Sequence, residues 1–205
     1  MIFRRKVDLA ASRLLAAIVG AQWRRVSGRQ VGTAQPGPLQ RPHIFLHGLT
    51  SQPWWDPQLV PWISTLERQS DVLRDELQAL LDAGYLRPAP VDTIEPRRRD
   101  MDQRLIVAGA WHLYLLFYNG IELTENCKRC PRTTGIFRQI PDFCGTVGFG
   151  VLAPGSRVAP HCGPTNAKLR CHLGLQIPEH CRIRVGDEVR TWVENRCILF
   201  DDSFE

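Results

Sequence analysis

The chain has 205 residues, 43% of them hydrophobic and 23% charged, which indicates a folded globular protein and excludes a disordered one. The net charge of +5 suggests a nucleic-acid partner, but residues 1–45 alone carry eight basic side chains and one acid, whereas the rest of the chain carries 18 basic and 20 acidic residues. This remainder has a net charge of −2 and is not predicted to form a basic groove, so we expect no nucleic-acid partner.

Residues 1–42 are interpreted as a basic N-terminal extension and a linker. Apolar residues between Val7 and Trp23 recur at helical spacing, which leaves two interpretations: a transit-type or membrane-surface helix, or a poorly ordered extension. The apolar run from Leu14 to Val19 is too short to cross a bilayer, so we expect no transmembrane helix in this chain. Glycine and proline residues between Val31 and Pro42 are typical of a linker, which places the start of the main domain at residue 43.

The main domain, residues 43–205, starts with helical patterns and continues with strand patterns. Asp56 and Pro57 are typical of a helix start, and apolar residues at three- and four-residue intervals up to Gly84 predict one amphipathic helix, or two with a break near Ser70. Apolar or alternating runs then predict strands at residues 113–118, 148–152, 167–177, 182–185, 189–193 and 197–200. This order predicts an α+β or mainly β fold containing a sandwich or barrel.

The run from Ala167 to Ile177 alternates strictly between apolar and polar residues over most of its length. On a strand, the residues of the polar face are Lys168, Arg170, His172 and Gln176. Arg170 and His172 then project side by side, about 7 Å apart along the strand. A guanidinium fork beside an imidazole donor suits a carboxylate ligand, and a solvent-exposed polar face is the alternative.

Two shorter polar blocks flank this strand in the sequence. His161 precedes the Gly163-Pro164 turn and is expected where a strand ends, either as a structural histidine or as a metal ligand. Asp201 and Asp202 follow the last apolar strand, where they could be ligands, caps or part of a polar turn.

Three blocks of this sequence, residues 160–166, 169–175 and 200–204, together resemble the core of the aspartyl/asparaginyl β-hydroxylases. The segments 48–56 and 126–132 resemble the branch called aspartate β-hydroxylase domain-containing proteins. The resemblance covers about residues 43–205, and residues 1–40 resemble no family. It implies a double-stranded β-helix, or jelly roll, preceded by an amphipathic helical region.

The resemblance also implies a function, that of an Fe(II)- and 2-oxoglutarate-dependent dioxygenase which hydroxylates Asp or Asn side chains of a protein or peptide substrate. His161 falls at the position of the family's first iron-binding histidine, and Arg170 and His172 fall where the family contacts the 2-oxoglutarate co-substrate. Gly163 supplies no carboxylate, which agrees with a family that binds iron through two histidines without an acid. Family members are often membrane-anchored, so the resemblance suggests association with the endoplasmic reticulum membrane.

The sequence departs from the family pattern at two places. Gly150 stands where the family has a serine that helps to hold the co-substrate. A second iron-binding histidine is expected directly after the 200–204 block, and an arginine for the co-substrate on a later strand, but the sequence ends at Glu205. We therefore expect a C-terminally truncated fragment of an enzyme that is active at full length. The alternative is a catalytically inactive jelly-roll module that binds a protein or peptide.

Cys127 and Cys130 form a C-x-x-C pair among seven cysteines, and no second such pair follows. Three interpretations stay open: a local disulfide in a secretory-lumen protein, a redox pair, or half of a zinc site that Cys144 and a histidine complete.

Overall fold

The computed structural model of the protein describes residues 16–24, 37–88, 105–140 and 145–205, with the backbone alone for 16–24 and 87–88. The helices of this part are α1 (Ile63–Arg68), α2 (Ser70–Asp82), α3 (Thr124–Arg129) and α4 (Pro131–Arg138). Its strands are β1 (Ala16–Arg24), β2 (Trp54–Trp55), β3 (Arg87–Pro88), β4 (Ile106–Ala108), β5 (Trp111–Tyr118), β6 (Ile121–Glu122), β7 (Val147–Leu152), β8 (Arg157–Val158), β9 (Lys168–Gly174), β10 (Arg182–Val185), β11 (Glu188–Thr191) and β12 (Cys197–Phe200).

One sheet of eight strands dominates the fold, in the order β2-β12-β9-β1-β7-β5-β3, with β6 paired to β5. Every strand pair in it is antiparallel. Two small antiparallel pairs, β4–β8 and β10–β11, accompany it, and Gly186 forms the turn of the β10–β11 hairpin with a φ of +61°. The strands predicted at residues 182–185 and 189–193 thus pair as a hairpin. Glycine suits its turn because it adopts a positive φ without a steric cost.

The helices and one face of the large sheet enclose the main hydrophobic core. Fully buried leucines of α1 and α2, such as Leu66 and Leu73, belong to one cluster with Phe137 of α4 and with Phe149 and Leu173 of the sheet. We call the face of the sheet that these residues cover the helix face, and the opposite one the second face. A smaller cluster on the second face contains Trp54, Val185 and Phe200.

The helical prediction for the start of the main domain is confirmed in its two-helix form, because α1 ends at Arg68 and α2 begins at Ser70. Asp56 caps a short 3₁₀ turn, where its carboxylate accepts a hydrogen bond from the backbone N–H of Gln58 at 2.9 Å. The helices α3 and α4 were not predicted. The buried carboxylate of Glu76 accepts the backbone N–H groups of Arg132 and Thr133, at 3.0 and 2.8 Å, and so caps α4.

The helical interpretation of residues 7–23 is wrong where the structure describes them, because Ala16–Arg24 form the strand β1 inside the large sheet. Residues 7–15 lie outside the described part. The backbone groups of β1 are paired on both sides, with β7 and with β9. A boundary between an extension and a main domain at residue 42 stays a prediction.

The fold is mixed, with many antiparallel strands and few helices, as the sequence predicts; the jelly-roll topology stays a prediction. Within the described ranges, no helix combines the length and the apolar character that crossing a membrane requires.

Candidate functional site

Strand β9 divides its side chains between the two faces of the sheet as the alternation predicts. Leu169, Cys171 and Leu173 are buried in the core of the helix face, and each is at most 1% exposed. Arg170 and His172 are half-buried on the second face. The structure therefore brings these two predicted co-substrate residues together on neighbouring positions of one face.

Arg170 is held by an ion pair that the sequence did not predict. Its Nε donates to Oδ2 of Asp202 over 2.5 Å, and the two side chains are 33% and 16% exposed. Asp202 also lies against Gly163, since a Cβ atom at Gly163 would run into the Asp202 carboxylate. The loop of His161 is thereby joined to Arg170 through a single acidic side chain.

His161 lies in this loop, exposed and three residues beyond the end of β8, so it does not end a strand as expected. Its Nδ1 is 2.9 Å from the carbonyl oxygen of Ala159. Because a carbonyl only accepts hydrogen bonds, Nδ1 donates, and the neutral ring keeps its lone pair on Nε2. Metal-binding histidines commonly have this arrangement, in which one ring nitrogen donates to a carbonyl and the other binds the metal.

His172 is surrounded by aromatic rings. Trp192, which follows β11, stacks on it with a centroid distance of 6.2 Å and an interplanar angle of 17°. Phe200 of β12 meets it edge to face, with a centroid distance of 4.8 Å and an interplanar angle of 84°. Burial lowers the pKa of His172 to about 3, and the positive charge of Arg170 adds to this effect. The ring is therefore neutral at physiological pH.

Unpartnered ring nitrogens occur in this aromatic cluster. Within the described ranges, the buried Nδ1 of His172 and the buried Nε1 atoms of Trp54 and Trp192 have no hydrogen-bond partner. Trp54 packs against Phe200 at 5.6 Å and carries the guanidinium of Arg190 over its ring at 4.4 Å. Buried donors and acceptors without a partner are costly, so such atoms are candidates for contacts with a bound molecule.

Gly150 lies on the same face of the sheet as this cluster. It is opposite Ile18 of β1, which in turn is opposite Gly174 of β9. Directly opposed residues of antiparallel strands share a face, and Gly174 shares a face with His172 two residues before it. The position at which a serine is expected therefore lies on the second face, the same face as His172 and Arg170.

Cys127 and Cys130 are both buried free thiols in the structure. Burial raises the pKa of Cys127, and burial together with the nearby Glu76 raises the pKa of Cys130 to about 12. Neutral thiols are poor metal ligands and poor nucleophiles. The disulfide, zinc and redox interpretations of this pair stay predictions.

The implied cofactors fit this site to different degrees. No group of three or more His, Cys, Asp or Glu side chains suited to a metal occurs in the part of the chain that the structure describes, where His161 offers one imidazole. The residues around Arg170 do suit a carboxylate co-substrate, because a cation and the Nδ1 of His172, which has no partner among the described residues, lie on neighbouring positions of one face.

Asp202, Trp192 and Phe200 were not assigned to the site from the sequence. Phe200 and Asp202 lie within a block that resembles the family, and Trp192 lies within the strand predicted at residues 189–193. Their contacts with Arg170 and His172 depend on which strands become neighbours, which no local pattern in the sequence indicates.

The sequence profile of the family "Aspartyl/Asparaginyl beta-hydroxylase" matches residues 67–205. The chain belongs to this family. It is 35% identical over 176 residues to the human aspartyl/asparaginyl beta-hydroxylase. This alignment covers 81% of this chain and 22% of that protein. It is 42% identical over 173 residues to the human aspartate beta-hydroxylase domain-containing protein 2, across 81% of this chain and 45% of that protein.

A third relative, the aspartate beta-hydroxylase domain-containing protein 1 of Bos taurus, is 34% identical over 213 aligned residues, across 99% of this chain and 55% of the relative. This alignment includes nearly all of the N-terminal segment, which resembled no family in the sequence. The chain thus spans between about a fifth and about half of the length of these three relatives.

Proposed function

We propose that this chain carries the co-substrate site, and one iron ligand, of an Fe(II)- and 2-oxoglutarate-dependent oxygenase with a jelly-roll core. Its substrate would be an Asp or Asn side chain of a protein or peptide. The observation that supports this most is the placement of Arg170 and His172 on one face, joined through Asp202 to the loop of His161. Family membership supports the same reaction class.

In this proposal Arg170 and His172 both contact the polar end of the co-substrate that lies between them. The guanidinium of Arg170 uses its Nε on Asp202, which leaves its terminal N–H groups to donate to a carboxylate of 2-oxoglutarate. The imidazole of His172 stays neutral and so carries one ring proton. In the tautomer that has this proton on Nδ1, Nδ1 donates to the ligand. Trp192 and Phe200 cover the imidazole and exclude water from this contact.

His161 would bind the iron through Nε2, since its Nδ1 donates to Ala159. Iron bound there with 2-oxoglutarate would supply the chemistry by which O₂ gives one oxygen atom to an unactivated C–H bond of the substrate and the other to succinate, while the co-substrate loses CO₂. Asp202 keeps a negative charge beside Gly163, which is two residues after His161. This charge orients Arg170 and adds a negative field near the iron that His161 would bind.

The test is succinate release from 2-oxoglutarate by the iron-loaded protein in the presence of Asp- and Asn-containing peptides, measured by NMR. We expect turnover that depends on iron, together with a peptide product that is heavier by one oxygen atom. His161→Ala should abolish it and weaken metal binding. His180→Asn, which removes an exposed imidazole at a position whose φ of +66° asparagine tolerates, should change neither. Unchanged metal binding in His161→Ala would contradict the proposal.

A second candidate function is a binding module without catalysis. It is favoured by two observations: Gly150 offers no hydroxyl group, and within the described ranges no set of three metal-ligand side chains is present. This candidate predicts peptide binding that is independent of iron, with no succinate release from the protein at any iron concentration.

A further inference from the structure

Residues 39–47 run along the loop that carries His161, and we call this segment the strap. The backbone N–H of Ile44 donates to the carbonyl oxygen of Pro164 over 3.0 Å, and Ile44 forms a parallel bridge with Thr165. Pro164 follows His161 by three residues, so their Cα atoms are at most about 11 Å apart. A molecule that binds along the strap is therefore held close to the proposed iron ligand.

Two buried amide side chains hold the strap in place. Asn166, 0% exposed, accepts the backbone N–H of Leu46 at 2.8 Å and donates to the carbonyl oxygen of the same residue at 2.9 Å. Gln40, nearer the other end, donates to the hydroxyl of Ser203 at 2.9 Å and accepts from that of Ser51 at 2.7 Å. The strap is thus ordered before any partner binds, which lowers the entropic cost of binding.

One backbone edge of the strap is open. The backbone groups of Ile44 and Leu46 bond to the loop, and in an extended chain the groups of successive residues point to opposite sides. Those of Phe45 therefore point away from the loop, and Phe45 forms no backbone hydrogen bond with another described residue. An open edge of this kind can take an extended peptide as an added strand.

The side chains of the strap fit such a partner. Ile44 and Leu46 are 61% and 46% exposed, and being two residues apart they share one face of an extended segment. On the other face, the ring of Phe45 meets that of His47 edge to face at a centroid distance of 5.2 Å. A pair of exposed apolar side chains beside an open backbone edge matches the alternate side chains of an added strand.

The charge around the strap determines which peptide fits. Residues 37–52 contain no Asp or Glu, whereas they include Arg41 and two histidines. In the described ion pairs, Glu205 is shared between Arg41 at 2.6 Å and Arg184 at 2.9 Å, so two guanidinium groups meet one carboxylate. The side chain of Arg41 is 65% exposed. This excess of positive charge favours an acidic partner.

We propose that the strap binds an extended, acidic segment of the polypeptide substrate as an added strand. The backbone of this segment pairs with Phe45, its apolar side chains lie against Ile44 and Leu46, and its carboxylates face Arg41. The inference rests on the proposed function and deepens it, because it names the surface that holds the substrate chain beside His161.

The test is fluorescence anisotropy of the full chain with a short labelled peptide in which valine and aspartate alternate, without iron or 2-oxoglutarate. We expect Ile44→Asp to weaken binding at least about tenfold, because it places a carboxylate against the acidic peptide. Ile121→Asp is the matched control, since Ile121 is also 61% exposed but lies on β6, which pairs with β5. It should bind as the wild type does. Arg41→Gln should weaken binding about threefold. Circular dichroism verifies folding.

Two further peptides separate charge from strand addition. One has lysine at every aspartate position, and the other is N-methylated at alternate residues, which removes the donors of one edge. Each should bind the wild type at least about tenfold more weakly. The inference is overturned if either peptide binds as well as the acidic one, if Ile44→Asp binds as the wild type does, or if the wild type binds no peptide. Failure of the proposed function appears separately, as absent succinate release, because the binding measurement contains neither iron nor co-substrate.

Discussion

The helix face and the second face of the large sheet differ in how they use their side chains. On the helix face, leucine, phenylalanine and cysteine side chains pack against α1, α2 and α4. On the second face, β9 presents a cation and an imidazole among aromatic rings. The same strand therefore contributes to the folding core through one set of residues and to the candidate site through the other.

Carboxylates on the two sides show the same contrast. Glu76, only 6% exposed, uses its two oxygens on the first backbone N–H groups of α4, so its role is completed within the fold. Asp202 pairs with a half-buried arginine that has further donors to offer. Among the described residues, unpartnered buried atoms also occur on the helix side, as at Oγ1 of Thr133, so this property alone does not identify a site. The combination with an ion pair and a ring cluster does.

The largest expected effect is on stability and comes from the helix face. Phe149 is fully buried, so Phe149→Ala should lower the free energy of unfolding by about 4 kcal/mol through lost burial and a residual cavity. Urea unfolding measures this. Val189→Ala is the control, because Val189 is 54% exposed on β11 and its truncation should cost less than about 0.5 kcal/mol. Equal costs at the two positions would contradict the assignment of the core to the helix face.

The ion pair of the second face should give the next largest effect. Asp202→Asn leaves the partly buried Arg170 cation without its partner, which should lower the free energy of unfolding by about 2 kcal/mol, between the values of surface and buried pairs. The double variant Asp202→Asn, Arg170→Gln removes both charges and should recover part of this loss. If the double variant loses as much stability as Asp202→Asn and Arg170→Gln lose in sum, the pair contributes nothing to stability.

The parts of this comparison that the sequence predicted are those encoded within one segment. The alternation in residues 167–177 predicted both faces of β9, because a half-buried strand repeats its pattern every two residues. The three- and four-residue apolar spacing up to Gly84 predicted the helical segment, with a break near Ser70 as one of its two forms. Arg170 and His172 share a face for the same local reason, so their pairing could be inferred without knowing any neighbouring strand.

The parts that the sequence missed depend on contacts between distant segments. The apolar residues around Ile18 and Val19 are too few to distinguish a helix from a strand, and pairing with β7 and β9 decided for the strand. The same holds for the site, because Asp202 and Trp192 reach β9 only when the final strand and the hairpin pack against it. Local pattern predicts which face a residue occupies, whereas topology determines its neighbours.

The pH dependence of stability sharpens the comparison through His172. Its pKa of about 3 in the folded protein lies below the ordinary histidine value of about 6.5, so the unfolded chain takes up a proton that the folded protein does not. The free energy of unfolding should therefore fall as the pH falls from about 6.5 towards 3, by at most about 1.4 kcal/mol per pH unit from this residue. His172→Gln should flatten this slope in urea unfolding at several pH values. If the pH dependence of the wild type and of His172→Gln is the same, the imidazole takes up its proton in the folded protein as it does in the unfolded chain.

The smallest expected effect concerns Trp192, where two consequences of one change nearly cancel. Trp192→Phe removes a buried indole N–H that has no partner among the described residues, which favours folding, and loses some buried apolar area, which opposes it. The free energy of unfolding should stay within about 1 kcal/mol of the wild type. Thermal and urea unfolding measure this, with Trp192→Ala as the matched variant that also loses the ring beside His172 and should cost about 3 kcal/mol. A large loss in Trp192→Phe would show that the indole N–H is bonded in the folded protein.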